Sequence, residues 1–131
     1  MNNIFTKFGL LFLFLFSLNV LSQEKKNEIS VGDLAEWIAN DTTSVILDVR
    51  NPEELVGELG HIKNVVNIPV YDLEKRLEEL NDFKDKKIAV ICRSGSRSRY
   101  GTAILLQNGF NAYNVLGGMR AYRKIIPIKP K

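Results

Sequence analysis

Cysteine and histidine are almost absent from this chain, whose 131 residues contain one of each, Cys92 and His61. A lone cysteine cannot form a disulfide within its own chain, so Cys92 is expected to be buried, paired with another chain, or reactive. One cysteine and one histidine are also too few for a zinc site, which usually takes three or four protein ligands. We therefore expect neither a metal site nor a cofactor.

A strong excess of one charge is absent as well. The formal net charge is +3 and charged residues make up 25% of the chain. Proteins that bind nucleic acid usually carry a clustered basic face, and a net charge this small does not argue for one. The chain also lacks internal repeats and long linkers. Its length gives room for one domain built around one core, and we expect it to bind no nucleic acid.

Charge is scarce in the first 22 residues, where Lys7 is the only charged side chain. Residues 8–21 form an apolar stretch that is short for a transmembrane helix, which needs about 20 apolar residues. The pattern is typical of a secretory signal peptide. We expect residues 1–22 to be a signal peptide and residues 23–131 to be an exported, periplasmic domain, tethered to the membrane if the peptide is not cleaved. Cysteines in such an oxidising compartment usually pair, which makes a lone thiol conspicuous.

Short apolar runs alternate with helical periodicity from residue 25 onward. Strands are predicted over residues 28–30, 44–49, 65–69, 87–92 and 112–116. Between them lie helical patterns, among them one that Asp72 is expected to cap and that carries Leu73, Leu77 and Leu80 on one face. This alternation predicts an α/β fold with a central parallel sheet of about five strands and helices on both faces.

Chemistry-bearing residues follow several of the predicted strands. Asp48 and Arg50 lie at the end of one strand, Cys92 at the end of another, and the glycine pair 117–118 at the end of a third. In parallel α/β sheets, ligands bind beyond the carboxyl ends of the strands. These three segments are therefore expected to meet at one edge of the sheet.

The segment after Cys92 has the composition of an anion-binding loop. Ser94, Gly95 and Ser96 are small, and a helical pattern begins near Ser98. A short loop of this kind can turn its N–H groups inward, and the helix N-terminus adds positive potential. Such a loop lowers the pKa of a thiol at its centre. We expect a thiolate here that is open to attack from solvent.

Arginines surround this loop, at positions 93, 97 and 99. Cysteine-dependent phosphatases place five residues between the cysteine and an arginine that clamps phosphate. Here four residues separate Cys92 from Arg97, and Ile91 stands where many phosphatases carry histidine. The loop is one residue short for a tetrahedral phosphate, so a phosphatase or arsenate reductase is the less favoured interpretation.

The motif CRSGSRS (92–98) resembles the active-site loop of single-domain rhodanese-like sulfurtransferases. Further motifs agree in order: LDVRNPEE (47–54), GHI (60–62), NIP (67–69), and GG (117–118) followed by Tyr122. The resemblance extends over residues 28–126. Departures are two residues inserted before Gly60, Asn64–Val66 where the family has Gly-Ala, and tyrosine at 122 where tryptophan is common.

The resemblance implies a two-step transfer of sulfane sulfur. Cys92 attacks the outer sulfur of an anionic donor such as thiosulfate and becomes a persulfide, which hands the sulfur to cyanide, a thiol or a protein acceptor. The loop amides of residues 93–97 hold the persulfide charge. The main alternative is a non-catalytic module that binds a partner or carries a persulfide. We expect a monomer in either case.

The same resemblance assigns a role to each site residue. Cys92 is catalytic, and the residues expected to bind substrate are Arg93, Ser94, Gly95, Ser96 and Arg97. The residues expected to support the site are Asp48, Arg50 and Ser98. Arg97 matches the loop arginine of the family, whereas Arg93 is the residue expected to touch an anionic donor. Asp48 and Arg50 are interpreted as a structural pair, and His61 as a residue that holds the fold together.

Overall fold

A parallel β-sheet lies at the centre of the molecule. The computed structural model describes residues 26–41 and 43–128, and within them the sheet has five strands. The strands are β1 (Glu28–Ile29), β2 (Val45–Asp48), β3 (Val66–Asn67), β4 (Lys87–Ile91) and β5 (Asn111–Val115). Their spatial order is β1-β5-β4-β2-β3, and each pairs in parallel with its neighbours. The predicted parallel α/β fold is therefore confirmed.

Both faces of the sheet are covered, as the unbroken apolar runs of its strands require. In β4, Ile88 and Val90 belong to one hydrophobic cluster, and Ala89 and Ile91 belong to the cluster on the opposite face. Side chains alternate between the faces of a strand. Cys92 continues this alternation one residue beyond β4 and packs in the cluster of Ile88 and Val90. The strand thus determines the side of the sheet on which the thiol lies.

Helices form the two outer layers. The α-helices of the described chain are α1 (Val31–Asn40), α2 (Pro52–Leu55), α3 (Ser96–Gln107) and α4 (Gly118–Ile125). Leu34 of α1 and Met119 of α4 pack in one cluster, whereas Ile104 and Leu105 of α3 pack in the other. The central strand β4 is therefore enclosed between α3 on one side and α1 with α4 on the other.

Helix α1 has Ser30 as its N-cap. The Ser30 hydroxyl accepts a hydrogen bond from the Asp33 backbone N–H at 3.0 Å, and Asp33 accepts one from the Ser30 N–H at 2.9 Å. Helix α2 begins with a similar arrangement, in which the Glu54 carboxylate accepts from the Asn51 N–H at 3.0 Å. This hydrogen bond holds the Glu54 carboxylate beside the edge of the sheet where Cys92 lies.

The segment after β3 differs from the expected α-helix. It consists of two 3₁₀ helices, Val70–Asp72 and Glu74–Phe83, with non-helical backbone angles at Arg76. Asp72 ends the first of these helices and caps neither of them. Leu73 and Leu80 are both fully buried, so the apolar spacing predicted the buried side chains correctly. The spacing did not predict the helix type, because it does not reveal the kink at Arg76, which lies between Leu73 and Leu80.

The predicted signal peptide, residues 1–22, lies outside the described residues. In the part of the chain that the structure describes, no helix combines the length and the apolar character needed to cross a membrane.

Candidate active site

Three segments meet where the central strands end. The Val49 N–H donates to the Ile91 carbonyl at 2.9 Å, which ties the end of β2 to the end of β4. The Met119 N–H donates to the Cys92 carbonyl at 2.8 Å, and the Arg120 N–H donates to the Arg93 carbonyl at 3.0 Å. The start of α4 is thus bonded directly to the cysteine loop. The expected meeting of these segments at one edge of the sheet is observed.

The loop curls around the Cys92 sulfur. Gly95 adopts a φ of 106°, in the left-handed region that favours glycine, and α3 begins at the next residue. A Cβ atom at Gly95 would lie 3.3 Å from the Gly117 nitrogen, so the loop also packs closely against the glycine pair. In this conformation the Gly95 N–H donates to Cys92 Sγ at 3.1 Å. The sulfur therefore lies against an inward-facing amide beside the N-terminus of α3.

Ser98 completes the surroundings of the sulfur from the first turn of α3. Its Oγ lies 3.2 Å from Cys92 Sγ, and its side chain is fully buried. The Ser98 carbonyl accepts a hydrogen bond from the Thr102 hydroxyl at 2.7 Å, which links the first turn of the helix to the second. Sequence reasoning placed Ser98 only in a supporting role, yet its hydroxyl is in direct contact with the thiol.

The pKa of the Cys92 thiol lies below its ordinary value. Burial is the largest single influence and acts to raise the pKa, because it disfavours the charged form. Hydrogen bonds from the Ser98 side chain, and from the backbone N–H groups of Ser98, Gly95 and Ser94, act in the opposite direction and together outweigh it. The loop thus favours the thiolate, the form that reacts as a nucleophile.

The thiol is less accessible than the sequence led us to expect. Cys92 is only 1% exposed, whereas a thiolate open to attack from solvent was predicted. The reason is the packing of the loop: the side chain joins the hydrophobic core on one side, and Gly95 closes over the sulfur on the other. Ser94 and Ser96 are exposed at the outer rim of the loop. A donor must therefore reach the sulfur past this rim.

Both arginines expected to bind substrate are already paired with glutamates. Arg97 donates two hydrogen bonds to Glu54, at 2.6 and 2.8 Å. Arg93 donates to Glu58 at 2.7 Å. The pKa of the Glu54 carboxyl is lowered to about 2, chiefly by the hydrogen bonds from Arg97. Sequence reasoning missed both glutamates; the Asn51–Glu54 spacing signals a capping box, whereas nothing local signals the pairing of Glu58.

Asp48 and Arg50 form a fully buried ion pair. Arg50 Nη2 donates to Asp48 Oδ2 at 2.7 Å, and both side chains are at most 1% exposed. The guanidinium also donates to the carbonyls of Glu54 at 3.2 Å and Gly60 at 2.8 Å. It therefore joins the end of β2 to the two ends of the segment that carries Glu58. The geometry matches the structural pair that the sequence suggested.

A family model described as the rhodanese-like domain matches residues 30–125. The chain belongs to the rhodanese-like family. The resemblance drawn from the five motifs is therefore confirmed.

Relatives and solved structures extend this assignment of the rhodanese-like chain. YtwF of Bacillus subtilis (strain 168), named as a sulfurtransferase, is 40% identical over 95 residues, covering 72% of this chain and 88% of YtwF. YrkF of the same organism, named as a sulfur carrier protein, is 40% identical over 94 residues, covering 71% of this chain and 49% of YrkF. This chain thus spans about half the length of YrkF. A rhodanese-related protein from Thermoplasma volcanium superposes with a TM-score of 0.67 at 37% identity, covering 76% of this chain and 92% of that chain.

Two other residues of this rhodanese-like domain lie apart from the sulfur. His61 is exposed, and its Nδ1 lies 3.1 Å from the Leu55 carbonyl oxygen. Arg99 is also exposed and lines a small cavity with Glu28, Thr102 and Asn114. Within residues 26–41 and 43–128, no three His, Cys, Asp or Glu side chains are grouped so that they could hold a metal ion.

Substitution of Ser98 tests the origin of the thiolate in this rhodanese-like loop. In Ser98→Ala, the pKa of Cys92 is expected to rise, because the hydroxyl that favours the charged sulfur is lost. The alkylation rate with iodoacetamide should fall roughly tenfold at neutral pH, and its pH midpoint should move upward. The control is Ser96→Ala, at an exposed rim position, which should keep the wild-type pH profile. An unchanged profile in Ser98→Ala would assign the low pKa to the backbone alone.

Proposed function

We propose that this chain is a sulfurtransferase in which Cys92 carries the transferred sulfur as a persulfide. The observation that supports this most directly is the contact between Cys92 Sγ and the Gly95 amide at the start of α3. Membership of the rhodanese-like family supports sulfur transfer in general. The name of YtwF, a sulfurtransferase, agrees with it.

In the proposed first step, the Cys92 thiolate attacks the outer sulfur of thiosulfate. A new S–S bond forms at Cys92, the S–S bond of thiosulfate breaks, and its electron pair leaves with sulfite. The product is Cys92–S–S⁻, and no external oxidant or reductant is required. The amides near the sulfur stabilise the charge on the added atom, as an oxyanion hole stabilises oxygen. Arg93 and Arg97 are each paired with a glutamate. The sulfonate group of thiosulfate therefore competes with Glu58 and Glu54 for their positive charge.

In the proposed second step, a thiophilic acceptor removes the outer sulfur. Cyanide or a thiolate attacks that atom, the persulfide S–S bond breaks, and its electron pair returns to Cys92. The thiolate that results is favoured by the same hydrogen bonds that lower its pKa at the start. The Ser98 hydroxyl, in contact with the sulfur, acts in both steps, and Arg50 with Asp48 holds the neighbouring strand end in place.

A persulfide carrier is the second candidate function. It is favoured by the burial of Cys92, which slows access of small molecules, and by the name of YrkF, a sulfur carrier protein. In this alternative the persulfide forms but is passed only to a protein partner. A phosphatase remains the weaker alternative, because four residues rather than five separate Cys92 from Arg97.

Intact-mass measurement tests the persulfide that both of these functions share. After incubation with thiosulfate, the protein is expected to gain about 32 Da, the mass of one sulfur atom, at its single thiol. Cyanide should remove this mass and release thiocyanate. The control is Cys92→Ser, which should gain nothing. Absence of the added mass in the fully reduced wild-type protein, with this donor and with an organic persulfide, would contradict the proposed function.

A further inference from the structure

Glu58 lies in the turn between the end of α2 and Gly60. Its carboxylate accepts a hydrogen bond from Arg93 Nη2 at 2.7 Å, although 35 positions separate the two residues. Arg93 is the residue assigned to an anionic donor. The carboxylate thus occupies the place that the anionic group of such a donor needs.

We propose that Glu58 is a specificity-determining residue that competes with anionic sulfur donors for Arg93. This inference rests on the proposed sulfurtransferase function. It assigns the preferred donor to a chemical class: a persulfide borne on a thiol, R–S–SH, whose R group carries no sulfonate or other anionic group near the reacting sulfur. The Cys92 thiolate attacks the outer sulfur, the S–S bond of the donor breaks, and its electron pair leaves on R–S⁻. The proton of the outer sulfur passes to R–S⁻, so the products are the Cys92 persulfide anion and the thiol R–SH. Thiosulfate then acts as a poor donor, because it must displace Glu58 before it reaches Arg93.

The turn that carries Glu58 is anchored on both sides. On the N-terminal side, the Gly57 N–H donates to the Glu54 carbonyl at 3.2 Å. On the C-terminal side, the Leu59 carbonyl accepts from Arg123 Nε at 2.7 Å, and the Gly60 carbonyl accepts from the buried Arg50 at 2.8 Å. The Glu58 side chain itself is 73% exposed. The anchored backbone therefore keeps the Glu58 side chain within reach of Arg93.

Arg93 is anchored equally well. Its carbonyl accepts a hydrogen bond from the Arg120 N–H at 3.0 Å. Its backbone also packs so closely on Gly118 that a Cβ atom there would lie 2.8 Å from the Arg93 oxygen. Two anchored backbones thus hold the Glu58 carboxylate and the Arg93 guanidinium within hydrogen-bond distance of each other.

The second arginine offers no replacement for Arg93. Arg97 is held by two hydrogen bonds to Glu54, and Glu54 is in turn fixed by the Asn51 N–H. Each substrate-binding arginine therefore faces a carboxylate of its own. A dianionic donor such as thiosulfate therefore approaches two arginines whose positive charges are already balanced by glutamates. A donor whose reacting sulfur is on an uncharged group does not meet this competition.

Alkylation of Cys92 tests the inference without requiring turnover. Iodoacetate and iodoacetamide react with a thiolate in the same way and differ mainly in the charge of the reagent. In Glu58→Gln, the ratio of the iodoacetate rate to the iodoacetamide rate is expected to rise about three- to fivefold, because Arg93 becomes available to the anion. Division by the iodoacetamide rate removes any change in thiolate fraction or in access.

Two further variants separate competition at Arg93 from a general charge effect. Glu53→Gln removes one exposed negative charge from neighbouring α2 and should leave the ratio within about 1.5-fold of wild type. In Arg93→Gln, the ratio should fall, and adding Glu58→Gln to that background should no longer raise it. Equal effects of Glu58→Gln and Glu53→Gln, or a persistent rise without Arg93, would overturn the inference.

Steady-state kinetics then connects the inference to the reaction. In Glu58→Gln, the KM for thiosulfate should fall about three- to fivefold at constant kcat, whereas the kinetics with an organic persulfide whose organic group carries no charge should stay as in wild type. If no variant transfers sulfur, the proposed function fails, yet the alkylation ratio still decides the role of Glu58. If sulfur transfer proceeds and the ratio does not respond, the function stands and the assignment of Glu58 is wrong.

Discussion

Cys92→Ser is expected to reduce sulfur transfer from thiosulfate to cyanide by about a thousandfold or more. The variant keeps the shape of the side chain but replaces the atom that forms the persulfide. A serine hydroxyl beside the Gly95 amide cannot supply an equivalent nucleophile, because a hydroxyl ionises much less readily than a thiol and its oxygen cannot form a persulfide. The measurement is thiocyanate formation at saturating donor. The folded state should be retained, with a thermal midpoint within a few degrees of wild type, since the substitution is nearly isosteric.

The informative comparison is with wild type under the same conditions. Ser96→Ala changes an exposed side chain of the same loop but keeps the backbone amide through which Ser96 is expected to bind, so it should retain most of the activity and serves as the matched control. If wild-type protein produces thiocyanate no faster than Cys92→Ser but still gains persulfide mass, the chain is a sulfur carrier rather than an enzyme for small acceptors. Substantial turnover by Cys92→Ser would refute persulfide catalysis at this residue.

Arg50→Ala is expected to lower the free energy of unfolding by about 3–5 kcal/mol. The substitution leaves the fully buried Asp48 carboxylate without its charged partner, and an uncompensated buried charge carries a penalty of this size. It also removes the hydrogen bonds to the Glu54 and Gly60 carbonyls, which hold the segment bearing Glu58. Urea denaturation followed by circular dichroism measures the change.

Two controls define what the buried pair contributes. Arg76 pairs with Glu79 at the surface, where its side chain is 39% exposed, and Arg76→Ala should cost no more than about 1 kcal/mol. The double variant Asp48→Asn with Arg50→Met should recover part of the stability lost in Arg50→Ala, because it leaves no charge in the core. A loss below about 1 kcal/mol in Arg50→Ala would contradict the interpretation of the pair as structural.

The fold and the centre of the site could be predicted from sequence because both depend on local patterns. The apolar run ending at Cys92 predicted a buried strand, and the strand pattern placed the thiol at the sheet edge. The small residues around Gly95 predicted a curled loop, since the left-handed backbone conformation there costs little free energy only for glycine. The family motifs added the order of the remaining segments.

Other features depend on contacts between distant residues, which no local pattern reveals. The pairing of Arg93 with Glu58 crosses 35 positions of the chain, and it changes the interpretation of Arg93 from an available anion site to an occupied one. The burial of Cys92 follows from how closely the loop packs against the core. The kink at Arg76 in the segment after β3 is likewise not signalled by the leucine spacing.

The bonds between the cysteine loop and α4 have a consequence for the resting protein. A peptide group is planar, so its carbonyl and the next N–H point in opposite directions. Because the carbonyls of Cys92 and Arg93 are held by the Met119 and Arg120 amides, the peptide planes that follow them cannot rotate freely. The Ser94 amide, which favours the charged sulfur, lies on the second of these planes. The hydrogen bonds to α4 thus fix the backbone of the cysteine loop in the reduced protein. The reduced protein and its persulfide form should therefore share one backbone conformation.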